Sequence, residues 1–208
     1  ETAAKRAWER IQQLSGKAGF TRDEMKELLR RLREYDEKYL RTKFGATVQD
    51  KIAKIRAGLI PVYDKWPFDE REAKRRQQDT AEILGCPVEK PVDLGGGVKL
   101  DLVLIPAGEF LMGSVDKGFV RRPDAENQVQ VRITRPFYIG KHEVTQEQWE
   151  KLLPGGNPSA FVGARNPVDQ VSWTECQRFI AKLNALGKER FRLPTEAEWE
   201  YACRAGTS

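Results

Sequence analysis

The amino-acid pattern changes near residues 91–97, and this change constrains the fold more than any other feature of the sequence. Before it, charged residues dominate and apolar residues recur at helical spacing; after it, apolar and polar residues alternate between Pro and Gly turns. Helical spacing predicts amphipathic helices, and alternation predicts half-buried strands. We therefore expect an α+β chain with a helical segment over residues 1–90 and a mixed domain over residues 98–208, joined by a flexible junction.

The first segment is expected to consist of helices. Thr21 and Glu24 have the spacing of a capping box, in which each side chain binds the backbone N–H of the other residue. The helix that follows should bury an apolar face made of Met25, Leu28, Leu29, Leu32, Tyr35 and Tyr39. A later helix should run from Asp69 to Leu84, with Gly85 after its end. Because no catalytic arrangement of residue types occurs here, the segment is interpreted as a spacer or a protein-interaction surface.

The second segment combines short strands with capped helices. Its strand-like stretches are Leu100–Ile105, Glu109–Met112, Gln128–Thr134 and Phe137–Val144. Helices should then begin at the capping boxes of Thr145 with Gln148, Ser172 with Glu175, and Thr195 with Glu198. The first two boxes are separated by a long irregular loop, Pro154–Asp169. Many turns and few helices favour an irregular mixed fold over a sandwich or a layered α/β structure.

Composition argues against nucleic-acid and membrane partners. The net charge is +5, but 36 basic residues face 31 acidic ones, and the two signs alternate along the predicted helices. Such alternation is typical of solvated helix faces with surface ion pairs, and no base-stacking motif accompanies it. The sequence contains no signal peptide and no long apolar run, so no membrane association is expected. Because the sequence begins with Glu1, we expect both ends to be cut ends, and the compartment is left open.

Three cysteines and one histidine are the residues that invite a redox or metal-binding role. Cys176 and Cys203 fall inside predicted helices, so we expect them to be buried as small apolar residues; a disulfide or a copper site is the alternative. Cys86 follows a helix stop and is expected to be a free thiol. His142 stands alone and cannot form a histidine triad, so no metal site is expected within the chain.

Three tryptophans near the starts of predicted helices are interpreted as core anchors, with a ligand cage as the alternative: Trp149, Trp173 and Trp199. In the last of these helices, Trp199 and Tyr201 should face the interior. Glu196 and Glu198 are explained by capping and by the helix dipole. Arg192, just before this helix, should bind neighbouring carbonyls or carboxylates through its planar guanidinium.

Five blocks of sequence resemble the formylglycine-generating enzyme family, whose members are also called sulfatase-modifying factors. The most specific block is Arg192–Ala202; the others are Leu104–Ser114, Phe137–Thr145 with Gln148 and Trp149, Asn157–Ser159, and Asn166–Val168 with Val171–Trp173. They stand in the order of the family. The helical segment is similar to the lead-in found before such domains in bacterial multidomain proteins.

The resemblance implies a C-type-lectin-like fold with little regular secondary structure. The founding members of the family oxidise a cysteine of newly made sulfatases to formylglycine, with molecular oxygen, copper bound by a cysteine pair, and structural calcium. In the family, the cysteine pair and the calcium loops lie beyond the block matched by Arg192–Ala202. The chain is therefore expected to be the front part of such a domain, with no catalytic, cofactor-binding or metal-binding residue of its own and no activity by itself.

The resemblance leaves several functions open. The full-length protein could be an oxidase of the formylglycine-generating type, a non-catalytic module that binds a protein or ligand, or a relative of non-haem iron oxygenases. Fold does not decide whether it is an enzyme, because function resides in sites grafted on folds. A protein partner is expected, reached through the helical segment or the lectin-like loops.

Overall fold

The computed structural model describes residues 2–15, 21–39, 45–113, 128–187 and 189–207. These residues form seven helices and five strands, which confirms the α+β class. None of the described helices is both long enough and apolar enough to cross a bilayer. The chain divides into two compact units, one of residues 1–61 and 79–86 and the other of residues 62–78 and 87–208.

The described helices of the first 86 residues are α1 Thr2–Ser15, α2 Arg22–Tyr39, α3 Gly45–Leu59 and α4 Glu70–Leu84. The predicted capping box before α2 is confirmed: the Thr21 N–H donates to Glu24 Oε2 (2.9 Å), and the Glu24 N–H donates to Thr21 Oγ1 (3.3 Å). The first unit buries the apolar residues Ile11, Leu28, Leu29, Leu32, Tyr35, Leu59 and Ile83. The predicted burial of Met25 and Tyr39 lies outside the described residues.

The second unit contains the strands β1 Glu89–Gly95, β2 Val98–Ile105, β3 Gly108–Met112, β4 Val129–Ile133 and β5 Phe137–Gly140, followed by the helices α5 Gln146–Leu152, α6 Trp173–Ala185 and α7 Glu196–Arg204. Two antiparallel sheets result, one in the order β1-β2-β5 and the other formed by β3 and β4. β5 is shorter than predicted, because the chain bends at residues 141 and 142.

The junction near residues 87–97 is not a flexible linker, so that prediction was wrong. β1 pairs with β2 across a turn in which Gly95, Gly96 and Gly97 all have positive φ. Val92 and Leu94 of β1 are only 5% and 4% exposed. Proline is compatible with this strand because β1 lies at an edge of its sheet. The alternation of apolar residues was thus a true strand signal, which the neighbouring prolines and glycines obscured.

Residues 62–78 belong to the second unit and pack on its strands. The Tyr63 N–H donates to Ala107 O (3.2 Å), and Tyr63 O accepts from the Glu109 N–H (2.8 Å). Arg76 is buried, with its guanidinium carbon 3.9 Å from the centre of the Phe68 ring. The division of the chain into domains at residues 1–90 and 98–208 stays a prediction.

Two apolar clusters fill the second unit. Helices α5 and α6 cover the sheet of β1 and β2, where Val92, Leu94, Leu100, Leu102, Trp149, Phe179 and Leu183 are buried. Helix α7 packs on β3 and β4 through Phe110, Ile133 and Tyr201. A Cβ atom at Gly108 would lie 2.3 Å from the Tyr201 hydroxyl oxygen, so only glycine fits there. Burial raises the pKa of Tyr201 to about 12.

Candidate functional site

An open groove with a volume of about 610 Å³ borders β5 in the second unit. Apolar side chains of β2, α5 and α6 line one part of it: Leu100, Leu102, Trp149, Phe179, Ile180 and Leu183. All of β5 and the segment Glu189–Pro194, just before α7, also line it, and the remaining lining residues are Glu143, Val144, Val168, Val171 and Cys176. Ligand sites are typically apolar clefts of about 300–1,000 Å³ with a few polar groups, so this groove is the candidate binding site.

Trp149 gives the groove a fixed floor. Its ring stacks on that of Phe179, with centroids 5.2 Å apart and planes within 3° of each other. The indole N–H donates to Gly156 O at 2.8 Å, so burial leaves this polar group satisfied. Two large rings packed in one orientation form a floor that exists before any ligand arrives.

The segment Glu189–Pro194 has no regular secondary structure, yet side chains hold it in place. The Asn184 side chain accepts from the Phe191 N–H (2.7 Å) and donates to Phe191 O (3.0 Å), satisfying both backbone groups of that residue. Lys90 Nζ lies 2.5 Å from Glu189 Oε1. This side of the groove is therefore also preformed.

Arg192 fixes the end of the same segment, as predicted. Its guanidinium donates to both carboxylate oxygens of Glu198, at 2.7 and 2.6 Å, and to Leu193 O at 3.0 Å. The Arg192 guanidinium, with help from the Thr195 N–H, holds the pKa of Glu198 well below its usual range, at about 2. The same ion pair raises the pKa of Arg192. The pair joins the groove to the start of α7.

Gln146, the first residue of α5, organises the long loop after that helix. Its side chain is 2% exposed and makes four hydrogen bonds. Gln146 Nε2 donates to Phe161 O (2.9 Å) and Pro167 O (3.2 Å), and Gln146 Oε1 accepts from Asn157 Nδ2 (2.9 Å) and the Gly163 N–H (3.0 Å). The side-chain amide of Gln146 thus satisfies hydrogen-bonding groups of four loop residues, which fixes a segment that has no helix or strand.

This loop presents two apolar side chains to solvent. Phe161 is 81% exposed and Val162 is 85% exposed, although the backbone on both sides is bound by Gln146. Scattered exposed apolar residues are normal on protein surfaces, so this pair by itself does not define a site.

The cysteines and the histidine are not brought together. Cys176 lines the groove and is half-buried, Cys86 is half-buried, and Cys203 is exposed, so the predicted burial of Cys203 was wrong. The thiols of all three are free in the structure, as predicted for Cys86, so Cys176 and Cys203 are not joined by a disulfide there. His142 is exposed in the bend after β5. The described residues contain no group of three or more His, Cys, Asp or Glu that could hold a metal ion.

The interpretation of the tryptophans as core anchors is confirmed for one of them and wrong for two. Trp149 is 3% exposed, whereas Trp173 is 70% and Trp199 is 58% exposed. Tyr201, predicted to face the interior beside Trp199, is buried as expected. The capping boxes of α5, α6 and α7 are all present, so the local prediction succeeded where the burial prediction failed.

The part of the chain that holds the groove matches the sequence profile of a known protein family. The profile of the sulfatase-modifying factor enzyme 1-like domain matches residues 98–208, more than half of the chain. The chain belongs to this family. Every side chain described above as lining the groove lies within the matched range, as does the Gln146 loop. The C-type-lectin-like character of the domain stays an implication of the resemblance.

The chain is also similar to proteins whose names describe different functions. The chain is 35% identical to a Chaperone protein LppX of Paenibacillus barcinonensis, over 51% of this chain and 46% of that protein. It is 28% identical to the formylglycine-generating enzyme of Mus musculus and 26% identical to that of Bos taurus, over 50% of this chain and 40% of each enzyme. The chain thus spans less than half the length of these relatives.

Among solved structures, PvdO from Pseudomonas aeruginosa is similar to this chain. The two share 25% sequence identity with a TM-score of 0.49, over 57% of this chain and 52% of that one.

Sequence reasoning missed both Gln146 and the groove. Gln146 follows a capping threonine, a position where a polar residue ordinarily points to water, so the pattern carried no sign of burial. The loop itself held the available signal: a Gly-Gly-Asn-Pro stretch without secondary structure needs hydrogen-bond partners for its backbone groups. The groove had no signal, because its lining comes from segments far apart in sequence.

Proposed function

We propose that this member of the sulfatase-modifying factor enzyme 1-like family works as a polypeptide-binding module, with the groove beside β5 as its binding site. The carrying observation is a preformed apolar cleft of about 610 Å³, bounded by a stacked tryptophan and by an anchored loop segment. A rigid cleft needs little ordering on binding, which leaves more of the contact energy as affinity.

The lining has the character of a peptide site. Aromatic and aliphatic groups from Tyr138, Trp149 and Ile180 line it together with the polar groups of Arg190 and Glu143. Polypeptide interfaces combine an apolar centre with a polar rim in this way. The relative named as a chaperone protein also favours this function, because chaperones as a class bind other polypeptides.

A matched pair of variants tests the proposal. Ile139 of β5 lines the groove, and Val129 of β4 is an exposed strand residue outside it. We expect Ile139→Asp to weaken binding of a carboxymethylated, permanently unfolded polypeptide at least tenfold, because an unpaired charge in an apolar cleft is costly to desolvate. Val129→Asp should bind like the unaltered chain. Fluorescence anisotropy gives the affinities, and circular dichroism verifies that both variants fold. Equal affinities for all three proteins would contradict the proposal.

A second candidate is oxidation of a protein cysteine to formylglycine. It is favoured by the similarity to the formylglycine-generating enzymes of mouse and cattle. The thiol chemistry of the described residues does not fit the cysteine-bound copper that the resemblance implies: Cys176 sits on α6 in the groove, whereas Cys203 is exposed on α7. No step of such a reaction is assigned to residues of this chain.

Mass spectrometry distinguishes the two candidates. The 208-residue chain is incubated with copper and a Cys-x-Pro-x-Arg peptide, and formylglycine is measured against a metal-only control. We expect no product above the control, because the described residues contain no group of three or more His, Cys, Asp or Glu that could hold the metal. Product above the control would establish the oxidase as the function of this chain.

A further inference from the structure

Residues 62–78 lie outside the range that the family profile matches, yet they are built into the second unit. This segment, the strap, crosses β3 on the side opposite β4. The Tyr63 N–H donates to Ala107 O (3.2 Å), and Tyr63 O accepts from the Glu109 N–H (2.8 Å), which forms a parallel bridge beside Gly108. Because natural proteins often cover the edge of a sheet with a loop, the strap is interpreted as the cover of β3.

Trp66 of the strap packs on the aromatic core between β3 and α7. The centre of its ring lies 5.8 Å from that of Phe110 and 5.9 Å from that of Tyr201. It also lies 5.0 Å from the ring of Phe68, the next aromatic residue of the strap. Phe110 is fully buried, and Trp66 is one of the side chains that surround it. Movement of the strap away from β3 would therefore bring water to this core.

Phe68 connects the strap to the end of α7. Its backbone N–H donates to Gly206 O at 2.9 Å. Gly206 has a φ of 97°, and a Cβ atom there would overlap the Phe68 ring. Gly206 lies inside the range that the family profile matches, whereas Phe68 lies outside it. The strap thus binds β3 at one point and the residue after α7 at another.

Arg76 of α4 holds the strap together. It is 3% exposed, and its guanidinium carbon lies 3.9 Å from the centre of the Phe68 ring and 4.8 Å from that of the Tyr63 ring. Arg76 Nη2 donates to Lys65 O (2.9 Å), and Nε donates to Glu72 Oε1 (2.8 Å). One buried planar cation therefore contacts both residues that attach the strap to the rest of the unit.

The strap also has features of a segment that opens before the rest of the unit. Arg76 Nη1 is buried and has no hydrogen-bond partner among the described residues. A buried donor without a partner costs free energy, which weakens the closed state. The strap forms no helix or strand before α4 begins at Glu70. Segments with few regular hydrogen bonds belong to the least stable parts of a protein and open locally.

We propose that the strap opens and closes as one cooperative unit, held closed by the buried guanidinium of Arg76, while the sheet of β1, β2 and β5 stays folded. In the closed state the strap covers the edge of β3 and holds the end of α7. Opening releases both contacts together. This inference concerns the conformation of the second unit and does not depend on what the groove binds.

Amide hydrogen exchange of the full 208-residue chain, followed by NMR, tests the proposal. The N–H groups of Phe68 and Glu109 report on the two strap contacts, and the Lys141 N–H, which donates to Asp101 O at 2.8 Å, reports on the other sheet. Arg76→Lys should accelerate exchange of both strap amides at least tenfold and by the same factor, without changing that of Lys141. Lysine keeps the charge but lacks the planar fork that bonds two acceptors and stacks on rings.

Arg75→Lys is the matched control. Arg75 stands next to Arg76 on α4 and also pairs with Glu72 (2.6 Å), but its side chain is 42% exposed. We expect it to leave the exchange of all three amides unchanged. An equal effect of both variants, acceleration of only one strap amide, or equal acceleration of Lys141 would overturn the proposal.

A second measurement decides if Arg76→Lys does not fold. In the unaltered chain, exchange is followed at increasing urea concentrations below the unfolding transition. One cooperative opening requires the exchange rates of Phe68 and Glu109 to rise with the same slope, because the slope reflects the surface exposed on opening. Different slopes for these two amides would mean that the two contacts open separately, and the proposal fails.

Discussion

Helices α5 and α7 begin in the same way and end up in different environments. Each starts at a threonine cap with a glutamine or glutamate three residues later and a tryptophan four residues later: Thr145, Gln148 and Trp149 in α5, and Thr195, Glu198 and Trp199 in α7. The cap residues have nearly equal dihedral angles, with φ −79° and ψ 160° against φ −71° and ψ 161°. Yet Trp149 is 3% exposed and Trp199 is 58% exposed.

The difference in tryptophan burial shows that a capping box determines where a helix starts but not which face of the helix is buried. In both helices the backbone N–H of the tryptophan donates to the backbone carbonyl oxygen of the capping threonine at 2.9 Å. Trp149 then meets Phe179 of α6, whereas α7 buries Tyr201 in place of its tryptophan. Equivalent substitutions in the two helices therefore isolate the contribution of context.

The largest expected effect comes from the tryptophans. Trp149→Ala should lower the free energy of unfolding by about 3–5 kcal/mol, because it removes a buried, stacked ring. Trp199→Ala should change it by less than about 0.5 kcal/mol, as is usual for exposed positions. Urea unfolding followed by circular dichroism measures both. Similar losses for the two variants would mean that Trp199 is buried in solution.

The first residues of the two helices give the next comparison. Gln146→Ala should cost about 2–3 kcal/mol, because it removes four hydrogen bonds made by a buried side chain. It should also make the loop over residues 154–169 cleave earlier in limited proteolysis. Glu196→Ala, at the matching exposed position of α7, should have little effect on either measurement. A loop that resists protease equally in Gln146→Ala would show that something other than Gln146 holds it.

The third residues differ in charge, and therefore in their response to pH. The folded-state pKa of Glu198 is about 2, below its ordinary value of 4.5, so its stabilising contribution is complete above pH 4.5 and is lost as the pH falls towards 2. Glu198→Gln should cost about 1–2 kcal/mol at pH 7, a modest value because the Arg192 side chain is 62% exposed and water screens the pair.

Melting curves at pH 7 and pH 3 measure this effect. The difference in unfolding free energy between Glu198→Gln and the unaltered chain should shrink at the lower pH. Gln148→Ala in α5 is the matched control, since an uncharged side chain gives no such pH dependence. A Glu198→Gln effect of the same size at both pH values would rule out the ion pair as its origin.

The smallest expected effects are those of the caps themselves. Thr145→Ala and Thr195→Ala should each cost about 1 kcal/mol through the loss of one capping hydrogen bond. Because the local geometry is the same, the two costs should agree within about 0.5 kcal/mol, measured by urea unfolding. A clear difference would mean that capping energies here depend on tertiary context as strongly as burial does.

Most of the predictions that succeeded depend on contacts that are close along the chain. Three kinds of feature depend on residues within a few positions of each other. They are the capping boxes at Thr21, Thr145, Ser172 and Thr195, the end of α4 before Gly85, and the ion pair of Arg192 with Glu198. The blocks of family sequence are likewise local, and the family match over residues 98–208 agrees with them.

The tertiary structure decided what no local window contains. Trp149 is buried because Phe179, thirty positions away, supplies a stacking partner, while Trp199 has no such partner among the described residues. Gln146 is buried because a loop folds back over it, and the groove exists because β5, α6 and Glu189–Pro194 converge. The sequence by itself therefore determined the family, the α+β class and the helix starts, whose hydrogen bonds close within one turn. Burial and the binding cleft depend on long-range packing, which only the folded chain defines.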